Sequence, residues 1–401
     1  MQFKTLRDYD FSGKTVLVRA DLNVPAQRAK VTDTTRIDRL KPTMDYLRKA
    51  GAKILILSHF GRPEGEQNPE MSLAFLTPTL KACWDAPVRF CQVSVGEHAK
   101  AFAESLQAGE IGVLENLRFH KGEEDNDKAF AKALSELGDI YVNDAFSTAH
   151  RAHASTEGIT HFLPSAAGLL MEEELNALEA ALGSPKKPVA AVAGGSKIST
   201  KLHVLNNLIT KVDYLILGGG MANTFLFAQG ADIGKSLCEK DMADMARDIM
   251  ARAKKSGCEI ILPVDLVTVT ALHEHAESQT DDAQHIPADR MAIDAGAKSV
   301  GHILEKIKEC KTIVWNGPLG VFEIQPFDKG TNDLAQAVAK KTKDGSMVSI
   351  AGGGDTVAAL ENAGVVNDFT YISTAGGAFL EWLEGKTLPG VAALYTASRA
   401  A

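Results

Sequence analysis

Cysteine is scarce and falls in no pairing pattern. Cys83, Cys91, Cys238, Cys258 and Cys310 are odd in number and contain no C-x-x-C spacing. A disulfide framework is therefore not expected, and the five read as free thiols in a reducing cytosol, most of them packing residues. Long apolar runs are missing as well, so no segment is suited to crossing a membrane. The N-terminal stretch Met1-Gln2-Phe3-Lys4-Thr5-Leu6-Arg7-Asp8 lacks the apolar core of a signal peptide, which points to a cytoplasmic protein with no membrane partner. An excess of positive charge is also absent. The net charge of −8 argues against non-specific nucleic-acid binding, so any cluster of cations should be a local pocket in an acidic protein.

Several familiar catalytic patterns are missing. Gly230-Ala231-Asp232-Ile233-Gly234-Lys235-Ser236 nearly spells a Walker A loop, but it is one residue short and follows a helix-like stretch instead of a strand. No triple-glycine run completes G-x-G-x-x-G, which weakens a dinucleotide reading. His273-Glu274-His275 does not become H-E-x-x-H, because Glu277 takes the last place, and His150 with His153 lacks a third zinc ligand. Ser196 has no G-x-S-x-G elbow around it.

What the chain does have is a repeated unit of apolar run, loop and helix. At 401 residues it is too long for one ordinary core and fits two of about 150 to 200 residues. In the second half the loops are rich in glycine. Val189 to Ala193 runs into Gly194-Gly195-Ser196-Lys197, Tyr214 to Leu217 into Gly218-Gly219-Gly220, and Thr312 to Trp315 into Asn316-Gly317-Pro318. Met347 to Ala351 leads to Gly352-Gly353-Gly354-Asp355-Thr356, and Tyr371 to Ser373 leads to Gly376-Gly377. With helix-like segments such as Asp241 to Lys255 and Thr331 to Lys341 between them, these runs predict βαβ units with parallel strands. Glycine turns leading into helices suit phosphate, since backbone N–H groups can approach the anion and the helix dipole favours it. Asp355 would repel phosphate unless a hard cation such as Mg²⁺ lay between, so this turn reads as a metal–nucleotide site; a lone turn of this kind is equally an Asp-capped tight turn. If Ser196 begins a helix, Lys197 and Lys201 share one face near its start.

In the first half the same rhythm carries charge at the strand ends. Thr15 to Val18 leads to Arg19, Asp21 and Asn23, and Lys53 to Leu57 leads to His59, Gly61 and Arg62. Ile111 to Leu114 leads to Asn116 and Arg118, and Ile140 to Val142 leads to Asn143, Asp144, His150 and Arg151. Arg36 opens a helix running toward Leu47 that Asp33 or Thr34 could cap. A single arginine of this set would be a surface ion pair. Together they share one edge of a parallel sheet, and four or five cationic side chains there call for an anion. The junction between the halves is the helical stretch Leu169 to Leu182, stopped by Gly183-Ser184-Pro185. It is either a hinge between two lobes that close on their ligands or an ordinary crossover helix.

Over essentially its whole length the chain resembles phosphoglycerate kinases. The resemblance rests on Val16-Leu17-Val18-Arg19-Ala20-Asp21-Leu22-Asn23-Val24-Pro25, Ser58-His59-Phe60-Gly61-Arg62-Pro63, Glu115-Asn116-Leu117-Arg118-Phe119, and Asn143-Asp144-Ala145-Phe146 through His150-Arg151-Ala152-His153. Gly194 to Lys197, Trp315 to Glu323 and Gly352 to Thr356 carry it through the second half. It implies an α/β fold of two doubly wound, Rossmann-like parallel-sheet domains joined by a hinge helix. Residues 1–168, completed by 389–401, would bind 3-phosphoglycerate, 169–187 would be the hinge, and 188–388 would bind Mg-nucleotide. The implied reaction is reversible phosphoryl transfer from 1,3-bisphosphoglycerate to ADP, giving 3-phosphoglycerate and ATP, by a monomer using Mg²⁺. His59, Arg62, Arg118 and Arg151 would hold the phosphate that stays. Asp21 and Asn23 would position the glycerate, and Arg36, Lys201, Gly376 and Gly377 would act on the migrating group. Lys197, Lys201, Gly353, Gly354, Asp355 and Thr356 would bind nucleotide phosphates, with Asp355 on the metal, Glu323 on the ribose, and Gly218, Gly219, Gly220 and Pro318 around the adenine. Ala375 departs from the family's usual glycine, Phe379 and Trp382 replace smaller residues, and Ser196 and Thr200 are uncommon at their places. A nicotinamide-dependent oxidoreductase and a non-catalytic bilobed anion-binding protein are the alternatives.

Overall fold

The computed structural model describes residues 3–400. Met1, Gln2 and Ala401, the last being the end of the segment expected to complete the first domain, lie outside the described residues. Two compact units divide the chain, Met1–Leu175 with Thr387–Ala401, and Asn176–Lys386. The division falls inside a helix.

The first unit is built on six strands: β1 (Thr15–Arg19), β2 (Lys53–Leu57), β3 (Val88–Cys91), β4 (Ile111–Leu114), β5 (Ile140–Asn143) and β6 (Ser165–Ala167). Their order across the sheet is β3-β4-β2-β1-β5-β6, and every pairing is parallel. Sheets of this kind are covered on both faces, which is why β1 and β2 are apolar at consecutive positions. Val16, Val18, Ile54 and Ile56 join one core with Ile37, Leu40, Met44 and Leu47 of helix α1 (Thr35–Lys49). Leu17, Leu55 and Leu57 face the other way into a second core with Leu134 and Tyr141. The start of α1 is held by Asp33, whose carboxylate accepts from the Thr35 N–H at 2.8 Å, whereas Thr34 turns its hydroxyl to Asp38. Helix α2 (Leu169–Leu178) passes into a π-helical turn, Glu179–Gly183, closed by the Ser184 N–H on the Glu179 carbonyl.

In the second unit β7 (Val189–Ala193), β8 (Tyr214–Leu217) and β9 (Glu259–Ile261) precede a small antiparallel sheet of β10 (Asp265–Val269), β11 (Ser278–Asp282) and β12 (Met291–Ala295). The main sheet continues with β13 (Thr312–Asn316), β14 (Val348–Gly352) and β15 (Tyr371–Ser373). Its order, β9-β8-β7-β13-β14-β15, reverses direction between β7 and β13, and its pairings are parallel. This is the doubly wound Rossmann order, in which ligands bind beyond the strand ends at the reversal. Helices α3 (Leu202–Leu208), α4 (Gly219–Ala228), α5 (Lys329–Lys343), α6 (Gly354–Asn362) and α7 (Gly377–Leu383) follow strands of this unit, while α8 (Pro389–Ala400) belongs to the first.

At the reversal the loops after β7 and β13 touch. A Cβ on Gly194 would lie 1.9 Å from the Pro318 carbonyl oxygen, and one on Gly317, where φ is +102°, would lie 2.3 Å from the Gly194 oxygen. Gly194→Ala is therefore expected to lower stability by about 1–3 kcal/mol through overpacking of rigid backbone. Gly301→Ala, on a helix with open space around the new methyl, should raise it by about 0.5–1 kcal/mol. Urea midpoints of the two variants check the pair, and equal midpoints would contradict the reading of the reversal.

Candidate functional site

Two sets of side chains stand at the carboxyl ends of the two sheets. In the first unit the α1 helix starts at the sheet edge and brings Arg36 to the segment that follows β1. Its Nη1 donates to Asp21 Oδ2 at 2.8 Å and to the Asn23 carbonyl at 3.0 Å. Ser147 Oγ donates to the same Asp21 oxygen at 2.5 Å. Asn23 Oδ1 accepts from the Gly61 N–H, and the Gly61 carbonyl accepts from Arg118 Nη1 at 2.8 Å. Asp21, Asn23, Arg36, Gly61 and Arg118 are thus one bonded chain reaching across β1, β2 and β4.

Arg118 is buried, with Glu124 at 3.3 Å from its Nε, and burial together with Arg19 and Arg151 lowers its pKa against the pull of Glu124. Arg151 Nε donates to His150 Nε2 at 3.2 Å and is half-buried. Arg62 is exposed. Of these three, only Arg118 has a carboxylate within 4 Å among the described residues.

His59, among these arginines, carries no charge of its own. Arg19 Nη2 lies 3.0 Å from His59 Nδ1 and, being a guanidinium, is the donor. The ring is therefore neutral, with its hydrogen on Nε2. Burial first, then Arg19, Arg118, His153 and Arg151, hold its pKa well below the usual histidine value. His59 can donate one hydrogen bond but adds no charge.

Beneath this edge lies a buried ionic group that spacing along the chain does not reveal. Arg19 is 1% exposed, donates through Nε to Ser155 Oγ and through Nη1 to the Ala20 carbonyl, and is linked to Glu123 through Ser155. Glu123 accepts from the Ser155 N–H at 3.0 Å and from Ser155 Oγ at 2.5 Å, and His153 Nδ1 is 3.9 Å away. Burial raises the Glu123 pKa and Arg19 opposes it. The only sequence clue is a charged residue ending the apolar strand Thr15-Val16-Leu17-Val18-Arg19.

The second unit holds a cavity of about 310 Å³ at the reversal of its sheet. Gly219, Gly220, Pro318, Glu323 and Asp355 line it, together with Asp294, which the sequence did not flag. Gly219 has φ of +68°, and a Cβ there would meet the Gly195 carbonyl at 2.7 Å, so glycine alone admits this approach. Gly218 packs on Leu319 instead of lining the cavity.

Lys197 and Lys201 do not share a helix face, because the chain stays irregular from Gly194 and α3 begins only at Leu202. Lys197 is exposed. Lys201 is half-buried and its Nζ donates to Asn316 Oδ1, while Asn316 Nδ2 donates to the Gly352 carbonyl at 2.7 Å. Burial lowers the Lys201 pKa against the pull of Asp355 and Glu384. Asn316 is thus the tie between Lys201 and the strand leading to Gly353.

Gly353, with φ of +99°, is the N-cap of α6, and a Cβ there would lie 2.6 Å from Asn316 Nδ2. Gly354 faces open space and Asp355 is exposed in the first helical turn, so the first N–H groups of α6 are accessible. Thr356 is buried and its hydroxyl oxygen accepts from the Gly317 N–H at 2.8 Å. Gly376, at φ of +52°, caps α7, which begins at Gly377. Ala375 is not among the residues of positive φ, and its N–H donates to Ser373 Oγ at 3.3 Å, so alanine is unstrained there. Phe379 packs on Gly352, where a Cβ would clash with its ring, and Trp382 stacks beside it at 6.0 Å.

The family model for phosphoglycerate kinase matches residues 6–386. The chain belongs to the phosphoglycerate kinase family. It is 58% identical to a phosphoglycerate kinase of Rhodospirillum centenum over 98% of this chain and 100% of that one. Against a phosphoglycerate kinase of Ruegeria sp. it is 57% identical over 99% and 100%. Among solved structures, phosphoglycerate kinase from Coxiella burnetii superposes with a TM-score of 0.92 at 42% identity, covering 98% of this chain and 99% of that chain. That of Pyrococcus horikoshii does so at 0.80 and 32% identity, covering 99% of each. The chain is thus a kinase of the phosphoglycerate kinase type with two doubly wound parallel sheets.

His153 supplies a pH test of the buried group. Burial, then Arg19, Arg118, Arg151 and His150, press its pKa from 6.5 to about 3. A depressed folded-state value means stability that is complete above 6.5 and is lost as pH falls toward about 3. His153→Gln should therefore lose less stability than the parent between pH 6.5 and 3, and identical urea-midpoint profiles would refute this.

Proposed function

We propose that the first unit holds 3-phosphoglycerate or 1,3-bisphosphoglycerate through Asp21, Asn23, Arg36, His59, Arg62, Arg118 and Arg151, and that the second holds the adenine nucleotide. The carrying observation is the guanidinium-rich sheet edge, with Arg62 exposed and Arg151 bonded to a histidine instead of a carboxylate. Such an edge suits a bound phosphate, which guanidinium forks can grip from several sides. His59 would add a neutral N–H donor to the same phosphate.

On the nucleotide side, Gly219, Gly220 and Pro318 would enclose the adenine and Glu323 would accept from the ribose. Lys197, Lys201, Thr356 and the N–H groups of Gly353, Gly354 and Asp355 would hold the phosphates, in keeping with the open start of α6. Asp355 suits Mg²⁺: a single exposed carboxylate beside a phosphate-binding helix start is how this ion is commonly held, the nucleotide supplying further oxygens. When bound, the ion would neutralise phosphate charge.

In the ATP-consuming direction a carboxylate oxygen of 3-phosphoglycerate forms a bond to the γ-phosphorus while the bond to the β–γ bridging oxygen breaks. The acceptor is already ionised at neutral pH, so no general base is needed. Asp21 is not needed as a base, and its carboxylate is already taken up by Arg36 and Ser147. Arg36, Lys201 and the N–H groups of Gly376 and Gly377 would stabilise the charge spread over the migrating phosphoryl oxygens. An acyl phosphate needs protection from water, so closure of the enzyme when both substrates are bound is part of the proposal. Among the described residues no helix is long and apolar enough to cross a membrane.

Arg36→Ala is expected to lower kcat by about 10²–10³ with a smaller change in KM, as loss of a donor to the transition state does. The assay couples 1,3-bisphosphoglycerate formation to its consumption, and a near-normal kcat would sink the assignment. Asp355→Ala should lose Mg²⁺-dependent turnover yet still bind 3-phosphoglycerate in calorimetry. Turnover at parent rates would remove Asp355 from the metal.

A further inference from the structure

Asp294 lines the cavity of the second unit but is 2% exposed, an unusual place for a carboxylate beside Leu266, Ile293, Leu319 and Val321. It reaches that place through an irregularity in β12. Val267 pairs with Asp294 while the next residue, Thr268, pairs with Ala292, so Ile293 is an extra residue bulged out of the ladder. Bulges re-aim side chains and recur beside active sites.

The re-aimed carboxylate is fully used. Oδ1 accepts from the Ala295 N–H at 2.8 Å and Oδ2 from the Gly330 N–H at 2.8 Å, in the first turn of α5. Two backbones press close to it, since a Cβ on Gly320 would lie 2.3 Å, and one on Gly330 2.7 Å, from Oδ1. The helix start that Asp294 fixes carries Thr331, whose Oγ1 accepts from the Leu319 N–H at 3.0 Å. The carbonyl of the bulged Ile293 accepts from the Val321 N–H at 2.9 Å, and the Leu319 carbonyl accepts from the Gly219 N–H at 2.8 Å. The wall from Pro318 to Glu323 is thereby fastened at Leu319 and Val321 to elements that Asp294 ties together.

We propose that Asp294 is a positioning residue for the nucleotide: without touching the reacting atoms, it sets where Pro318 and Glu323 stand against base and ribose. The proposal rests on the nucleotide reading of this cavity. Asparagine at 294 would keep one acceptor but turn an NH₂ toward one of the two N–H donors, leaving a buried donor unsatisfied. Alanine at 320 would reach the same wall from the other side, by pushing on the carboxylate.

The test measures ADP affinity by calorimetry and KM for ATP and for 3-phosphoglycerate in the parent, Asp294→Asn, Gly320→Ala and Thr331→Val. Loss of one charge-assisted buried hydrogen bond corresponds to about a tenfold effect. KM for ATP and Kd for ADP should rise by about that factor in Asp294→Asn and Gly320→Ala, and less in Thr331→Val. KM for 3-phosphoglycerate and kcat should stay within about twofold, a split that general loss of stability does not produce. Parent-like nucleotide affinity in any two variants that fold, or parallel changes for both substrates, would overturn the proposal. Should the parent bind ADP with the same affinity after Glu323→Ala and Gly219→Val, the nucleotide reading itself fails, a result separate from either of these.

Discussion

The candidate site of the second unit depends on one close approach of two backbones. At the reversal of the second sheet the loops after β7 and β13 lie nearer than any side chain would permit, with Gly194 against Gly317 and Pro318. From that contact the other positions follow. Asn316 is brought where its amide bridges Lys201 and the Gly352 carbonyl. Gly317 donates to the Thr356 hydroxyl, which pins the first turn of α6. Gly219 enters beside the Gly195 carbonyl because it has no β-carbon to hold them apart. A β-carbon at Gly194 would push apart the loops after β7 and β13, so glycine there is a requirement of geometry whatever the turns bind.

The first unit meets a different constraint, that of like charge. Arg19, Arg118 and Arg151 all act on the titration of His59 and His153, and both histidines respond by staying neutral. Glu123, buried beside Arg19 and bonded twice to Ser155, supplies the compensating carboxyl group. Removing the partner of a buried charge is far costlier than never having buried it. Arg19 is thereby held where it orients His59, and on the proposed reading Arg62 and Arg151 would face the incoming anion.

Much of this was legible in the sequence, and the misses share a cause. Central strands such as Thr15–Arg19, Lys53–Leu57 and Val189–Ala193 are buried on both faces and read as unbroken apolar runs ended by glycine or charge. The strands not foreseen in the main sheets, Val88–Cys91, Ser165–Ala167 and Glu259–Ile261, all lie at sheet edges and are short. The small antiparallel sheet was hidden by the polar, largely exposed strand Ser278–Asp282. The glycine turns and Asp355 were visible because their local chemistry is unusual. Lys197 and Lys201 were misplaced on a helix because spacing of four is also what an irregular loop can show. Glu123, Ser155 and Asp294 act through partners distant in the chain or through a bulge, neither of which leaves a local pattern.

On the proposed roles, the two units hold phosphate by different physics, and the difference suits the reaction. The phosphate that stays with the glycerate keeps its charge throughout, and permanent guanidinium charges match a charge that does not change. The phosphoryl group that moves spreads its charge over several oxygens and then passes it on, so fixed full charges on every side would hold one end state too firmly. Backbone N–H groups at the starts of α6 and α7 are partial charges set by the fold, and they stabilise the passing charge with little reorganisation. Arg36 and Lys201 would be the full charges acting on that group. Each is moderated by a neighbour, Arg36 by Asp21 and Lys201 by burial against Asn316. On the proposed roles, that restraint would keep either residue from holding one end state too firmly.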